Sequence, residues 1–114
     1  MKYLCLVYGD EHVLHAHPDS PRDPECHAYD VEIDESGRRL AAEALAPVSA
    51  ATTVRVRGGE TQLVDGPFAE TKETLGGFYI VEAADLDEAI EWAAKIPNAP
   101  KGSVEIRPIM DFDA

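Results

Sequence analysis

The chain has 114 residues, of which 22 are Asp or Glu and 10 are Lys or Arg, giving a formal net charge of -12. This length suits one domain over residues 1–114 with one modest hydrophobic core. The basic residues are scattered, so nucleic acid and anionic membranes are not expected as partners, because both require clustered Lys and Arg. The acidity itself is explained by solubility.

The two cysteines do not form a regular disulfide framework. Cys5 lies in an apolar strand pattern and Cys26 lies in a predicted helix. Both thiols are expected to be reduced and partly buried, which predicts a cytoplasmic location. The apolar run at residues 3–8 is too short to span a bilayer and lacks the features of a signal peptide.

The first third of the chain predicts a strand, a loop and a helix. The strand, at residues 3–8, has apolar side chains on both faces, and a polar loop follows over residues 12–22. Asp23 is expected to cap a helix that begins at Pro24 and ends near Ser36.

The middle of the chain predicts a short strand and a hairpin. Residues 40–45 fit either a strand or a helix extension, because alanine favours neither strongly, and the strand is preferred; Pro47 ends it. Alternation predicts strands at 52–57 and 60–64, joined by a turn at the two glycines 58–59.

The last third predicts a strand at 78–83, a helix that Asp85 caps and Pro97 ends, and a final strand at 104–109. The whole order is strand, helix, strand, hairpin, strand, helix, strand. This order predicts a ferredoxin-like α+β sandwich with an inserted β-hairpin, in which both helices cover one side of an antiparallel sheet.

The second face of this sheet also needs cover, because the strands at 3–8 and 78–83 are apolar on both sides. Leaving several large apolar groups in water would cost several kcal/mol in a marginally stable domain. A homodimer that packs two sheets face to face would bury them. Glu105 and Arg107 are expected to point toward the space between the sheets, which makes any cavity there partly polar.

The most distinctive motif is DGPFAETKE, at residues 65–73. Gly66 is expected to take a positive φ, and Pro67 fixes its own φ, so the turn is well specified. The acids and Lys72 permit general acid/base chemistry, which needs titratable groups close together in a partly dry place. A plainer interpretation is that Asp65 caps the turn, the other charges are solvated, and Phe68 fills the core.

Histidines provide two further candidates. His27 has Asp30 three residues later on roughly the same helix face, so a carboxylate could orient the imidazole as a general base. The plainer interpretation is a surface histidine on an acidic helix. His12, His15 and His17 match no closed zinc pattern, so neither a metal nor a cofactor is expected.

The chain resembles the DGPF branch of the YCII-related proteins. The resemblance rests on the DGPF turn, the Glu-Thr-Lys after it, the double glycine at 76–77 and the Arg-Pro at 107–108. It implies a dimeric α/β barrel. In the better-described YCII branch, a histidine of the first helix and an aspartate after the second helix are the proposed acid/base pair. His27 matches the first of these, whereas residues 95–98 lack the aspartate.

Two functions are compatible with this resemblance. The first is a cofactor-free acid/base enzyme of isomerase or lyase type, acting on a small polar molecule in an inter-sheet cleft; relatives with this fold include isomerases and dehydrochlorinases. On this hypothesis His27 or Asp65 would be the base, Lys72 or Arg107 would hold an anionic substrate, and Glu70 would orient it.

The second function is a non-catalytic module that senses a ligand or binds a protein. The resemblance implies it because DGPF members are often associated with extracytoplasmic-function sigma factors. A cleft that holds His27, Asp65, Glu70 and Lys72 within hydrogen-bonding reach of one another would favour the enzyme. Dispersal of these groups to the rim would favour the module.

Overall fold

The computed structural model describes residues 1–14 and 24–113. Their helices and strands are, in chain order, β1 (Lys2–Gly9), α1 (Glu11–Leu14), α2 (Pro24–Ser36), β2 (Arg39–Ala44), β3 (Thr52–Arg57), β4 (Glu60–Asp65), β5 (Thr74–Glu82), α3 (Leu86–Ala94) and β6 (Ser103–Pro108). Short 3₁₀ turns lie at Val48–Ala50 and Ala99–Lys101. Within the described ranges, no helix has the length and apolar character to cross a membrane.

Four strands form an antiparallel sheet in the order β2-β5-β1-β6, and among the described strands β3 pairs only with β4, as a separate hairpin. The order confirms the predicted ferredoxin-like α+β fold with an inserted hairpin, as well as the strand assigned to residues 40–45. One prediction was partly wrong, because residues 12–14 belong to α1 and not to a loop. The rest of that loop and the Asp23 cap lie outside the described residues.

The core lies between the sheet and the two long helices. Alternate residues of β1, namely Tyr3, Cys5 and Val7, are between 1% and 5% exposed. Tyr29 and Ile33 of α2 belong to the same core cluster, and Ile33 is fully buried. At the start of α3, the side chain of Asp85 accepts a hydrogen bond from the backbone N–H of Glu88 at 3.0 Å, as predicted for a cap.

Neither α2 nor α3 covers the other face of the sheet. In the strand register, Leu6 lies between Phe78 and Glu105, and its neighbour on the same face, Leu4, is paired with Arg107. The apolar members are half-buried, whereas the charged ones are exposed. We call this surface the open face; its residues are Leu4, Leu6, Tyr8, Ala41, Glu43, Phe78, Ile80, Ser103, Glu105 and Arg107.

The hairpin of β3 and β4, residues 52–65, is called the arm. Gly58 and Gly59 form its tip with φ values of 57° and 79°, the positive pair that a tight two-residue hairpin turn requires. The described residues have a radius of gyration of 15.8 Å and extents of 46 × 42 × 19 Å. A compact chain of this length would have a radius of about 13 Å. The described part of the chain is therefore flat and extended.

Candidate functional site

The turn of the DGPF motif follows the second strand of the arm and is hydrogen-bonded to the start of the first strand. Gly66 has a φ of 112°, its backbone N–H donates to the carbonyl of Ala51 at 2.8 Å, and its carbonyl accepts from the Thr53 hydroxyl at 2.9 Å. The predicted positive φ is therefore present. The Asp65 side chain does not cap the turn: within the described residues its carboxylate accepts no hydrogen bond, and it is exposed.

Phe68 does not fill the core, contrary to the plainer interpretation of the motif. Its side chain is 77% exposed. The guanidinium carbon of Arg55 lies 5.3 Å from the centre of the ring, within the range of a cation–π contact. The ring therefore packs against the arm, while the core is already filled by residues of the sheet and the two long helices.

The tail of the motif is fixed at one end of the open face. The carboxylate of Glu73 accepts a hydrogen bond from the Ser103 hydroxyl at 2.8 Å, and the Thr71 hydroxyl donates to the Glu73 carbonyl. Ser103 is paired with Tyr8 across the sheet, so all three polar groups gather at this end. Sequence reasoning missed the contact between Glu73 and Ser103, because it depends on the register of β6 and not on any local pattern.

The open face combines an apolar centre with polar flanks. Leu6 and Phe78 form the middle of the floor, and Glu105 and Arg107 lie two residues apart on the edge strand β6. As predicted, both charged residues lie on the face opposite the helices. An apolar floor can hold a ring or a short carbon chain. A guanidinium can donate two parallel hydrogen bonds to an anionic group, and a carboxylate can accept a proton.

The predicted pairing of His27 with Asp30 was wrong. The Asp30 carboxylate instead accepts a hydrogen bond from the Tyr79 hydroxyl at 3.2 Å. Asp30 is half-buried and faces the sheet, where the desolvated phenol needs an acceptor. His27 is exposed on α2, in the helix layer on the other side of the sheet from Arg107.

The buried groups of the helix side are held in their neutral forms. Burial raises the pKa of Tyr79, and the nearby Asp30 carboxylate raises it further. Burial also raises the pKa of Tyr29, whose hydroxyl donates to the Trp92 carbonyl at 3.0 Å. The pKa of the Cys5 thiol is raised by burial to about 11. These groups stabilise the core, and the Cys5 thiol is not ionised at neutral pH.

The five predicted site residues do not meet within one chain. Asp65, Glu70, Lys72 and Arg107 are exposed, as is His27. In the described part of the chain, the ion pairs join other residues: the N-terminus with Glu82, Arg38 with Glu88, Arg39 with Asp34, Lys95 with Glu32, and Lys101 with Glu25. Such dispersal in a single chain is the arrangement expected of a binding module, unless a second copy completes the site.

Two other locations are less suited to a site. A shallow crevice beside the end of α3 is lined in part by Tyr29, Glu32 and Lys95, but the last two form an ion pair with each other at 2.8 Å. No group of three or more metal-binding side chains is present within residues 1–14 and 24–113. His15 and His17, from the histidine cluster considered above, lie outside these residues.

A family model of the YCII-related domain matches residues 1–113. The chain belongs to the YCII-related family. This YCII-related chain is also 41% identical over 114 residues to the uncharacterized protein R00369 of Rhizobium meliloti (strain 1021), a match that covers 96% of this chain and 92% of that protein.

A solved structure supports the fold of this YCII-related chain. It is the 5-chloro-2-hydroxyhydroquinone dehydrochlorinase TftG from Burkholderia phenoliruptrix AC1100, in complex with 2,5-dihydroxybenzoquinone. The TM-score is 0.56 at 15% identity, and the match covers 96% of this chain and 94% of that one. At this identity the similarity concerns the fold alone, which agrees with the predicted ferredoxin-like α+β class.

Proposed function

We propose that this YCII-related chain is a cofactor-free acid/base enzyme of isomerase or lyase type that belongs to the DGPF branch. It acts on a small polar molecule in a cleft between the open faces of two copies. The observation that carries the proposal is the composition of the open face, where an uncovered apolar centre shares one surface with Glu105 and Arg107. A purely structural interface has little use for this pair of charges.

In the proposed homodimer, two sheets pack face to face at a spacing of about 10 Å. The half-buried side chains of Leu6 and Phe78 meet their counterparts near the centre. Arg107 lies on the edge strand, where its guanidinium remains accessible to a ligand that enters between the sheets. It is the proposed anchor for an anionic oxygen, because its planar donor groups match a carboxylate or phenolate.

The base of the proposed reaction is a carboxylate near this cleft. Asp65 remains a candidate because it ends β4 and begins the motif, whose tail Glu73 is bound at the end of the open face. Glu70 and Lys72 belong to the same segment, and their proposed roles are orientation of the substrate and binding of its negative charge. His27 is the weaker candidate, because α2 covers the opposite side of the sheet.

The fold relative gives a suitable probe. Its bound compound, 2,5-dihydroxybenzoquinone, is a small polar ring with acidic hydroxyl groups, which suits an apolar floor beside a guanidinium. Calorimetric titration of the wild-type chain with this compound is expected to show binding. Arg107→Gln should weaken binding by about tenfold, since a charge-assisted hydrogen bond contributes roughly 1.5 kcal/mol.

The matched control for this titration is Arg57→Gln, which removes an exposed arginine of the arm that lies outside the open face. The control should bind the compound as the wild type does. Equal weakening in both variants would point to non-specific charge attraction. Unchanged binding in Arg107→Gln would contradict the proposed anchor.

A binding module is the second candidate, and the dispersal of the predicted acid/base groups within one chain favours it. Its proposed partners are a small ligand or a protein of sigma-factor-linked transcription. Exchange of the ring protons of the bound compound into D₂O, followed by NMR, separates the two functions. Exchange that is accelerated by wild type and slowed by Asp65→Asn supports the enzyme, whereas binding without accelerated exchange supports the module.

A further inference from the structure

The arm has two unlike faces. Val54 is paired with Leu63 across the hairpin, and Val56 lies two residues further along β3 on the same face. These three side chains are 59%, 68% and 58% exposed, respectively. The opposite face carries the polar pair of Arg55 and Gln62, and Val64 is its one apolar residue. The apolar face therefore forms a continuous strip along the arm.

The chain itself does not cover this strip. The paired strands β3 and β4 form their own sheet, and no other described strand or helix packs extensively against either of them. A two-stranded hairpin is only marginally stable by itself in water and normally requires a third strand or other packing. The arm therefore lacks the contact that would stabilise an ordered hairpin with an apolar face.

The extent of the open face indicates what supplies this contact. The open face has about ten residues, whereas a standard stable interface involves about 20–30 residues on each partner. Two copies that met only through their open faces would fall short of this number, whereas two reciprocally packed arms would add further residues to the contact.

The charge of the arm allows it to contact a second copy, although the chain as a whole is acidic. The whole chain has a net charge of -12, so two copies repel each other at long range. The arm is an exception: its two bases, Arg55 and Arg57, balance its two acids, Glu60 and Asp65. It is therefore a part of the chain that can approach another copy with little electrostatic cost.

We infer that each arm packs the strip of Val54, Val56 and Leu63 on the body of a second copy, beside the open face. Two arms related by a two-fold axis then stabilise the dimer from both sides. Because the DGPF turn follows the arm directly, this contact also fixes residues 65–73 of each chain at the edge of the cleft. The inference rests on the homodimer of the proposed function and adds a second contact to it.

The test compares two adjacent residues on β4. Leu63→Asp introduces a charge on the apolar strip, whereas Gln62→Asp introduces the same charge on the polar face, and both positions are exposed in the single chain. Sedimentation equilibrium over a range of protein concentrations measures dimer dissociation. Leu63→Asp is expected to raise the dissociation constant by at least about tenfold, and Gln62→Asp should leave it within about twofold of wild type.

A second variant tests whether the effect of Leu63→Asp comes from unfolding of the arm. The double change Val54→Thr and Val56→Thr keeps the β-branched shape and the strand propensity while removing much of the apolar character. It is expected to weaken the dimer in the same direction. Circular dichroism of each variant, compared with wild type, verifies that the fold is retained.

The outcomes separate the inference from the proposed function. If wild type is a dimer and Leu63→Asp dimerises equally well, the arm contact is wrong and the dimer through the open faces stands. Equal weakening by Leu63→Asp and Gln62→Asp also overturns the arm contact, because the effect would not depend on the face. If wild type remains monomeric at every concentration, both the arm contact and the proposed cleft fail.

Discussion

The two faces of the central sheet use alternate residues of the same strands, but the chain covers them differently. On the helix side, Tyr3, Cys5 and Val7 are almost completely buried by α2 and α3. On the other side, their neighbours Leu4 and Leu6 are only half-buried. The residues on both sides are mainly apolar, so hydrophobicity alone does not distinguish a core from an interface. The difference is the position of the helices, which follows from the connections between strands.

The comparison predicts that mutations on the helix side reduce the stability of a single chain. Ile33→Ala should lower the free energy of unfolding by about 3 kcal/mol, because the side chain is fully buried and its removal leaves a cavity. Val31→Ala on the same helix is the control, since Val31 is 41% exposed and its replacement should change the value by less than about 0.5 kcal/mol. Urea denaturation measures both, and similar losses would contradict the assigned core.

Mutations on the open face should instead act on assembly. Leu6→Asp is expected to weaken the dimer by about 2 kcal/mol, roughly 30-fold, because a charge would face the apolar centre of the partner sheet. The control, Ile90→Asp, places the same charge on a residue of α3 that is 46% exposed. Thermal unfolding should lose its dependence on protein concentration in Leu6→Asp and retain it in the control. The reverse result would place the interface on the helix layer.

The pH dependence of stability provides the smallest of the three effects and concerns only the helix side. The folded-state pKa of Cys5 is raised from 9.0 to about 11, so folding favours its protonated thiol. Its contribution is complete below pH 9 and is lost as the pH rises to about 11, because the unfolded chain releases the proton first. By pH 10, where the unfolded thiol is mostly ionised and the folded thiol is not, the loss should be roughly 1.4 kcal/mol.

Cys5→Ala should make this part of the pH profile flatter. The tyrosines that pack nearby, Tyr29 and Tyr79, also have raised pKa values, and their loss of stability begins above about pH 10. Urea denaturation measures the slope of unfolding free energy against pH for wild type and for Cys5→Ala. Between pH 9 and 10, the difference between these two slopes therefore gives the contribution of the thiol. Parallel profiles for wild type and variant would show that the thiol does not contribute.

Most of the fold could be predicted from the sequence because its signals are local. Strand alternation and the glycine pair at 58–59 predicted the arm, and the Asp85 cap predicted the start of α3. The apolar pattern of residues 3–8 even predicted that the second face would be uncovered by the chain. Each of these conclusions depends on residues within about ten positions of one another, where periodicity and turn chemistry decide the structure.

The side-chain contacts of the candidate site were harder to predict because they join distant residues. Glu73 meets Ser103 only through the register of β6, which itself depends on β1. The carboxylate of Asp30 accepts a hydrogen bond from Tyr79, which lies 49 positions later in the chain, and not from His27 on the same helix. A shift in register between Val7 and Tyr8 adds an irregularity that no local pattern encodes.

The glycine turn at the arm tip has a practical consequence for following the assembly in solution. Both glycines have positive φ, and a Cβ at either position would meet no atom within 4 Å, so backbone strain and not crowding disfavours a substitution there. Inserting a short peptide tag or a fluorescent reporter between them would extend the loop without removing either glycine. Energy transfer between the reporters of two chains would then measure the distance between the two arm tips in the dimer. A distance that changes with added ligand would show that the dimer opens or closes.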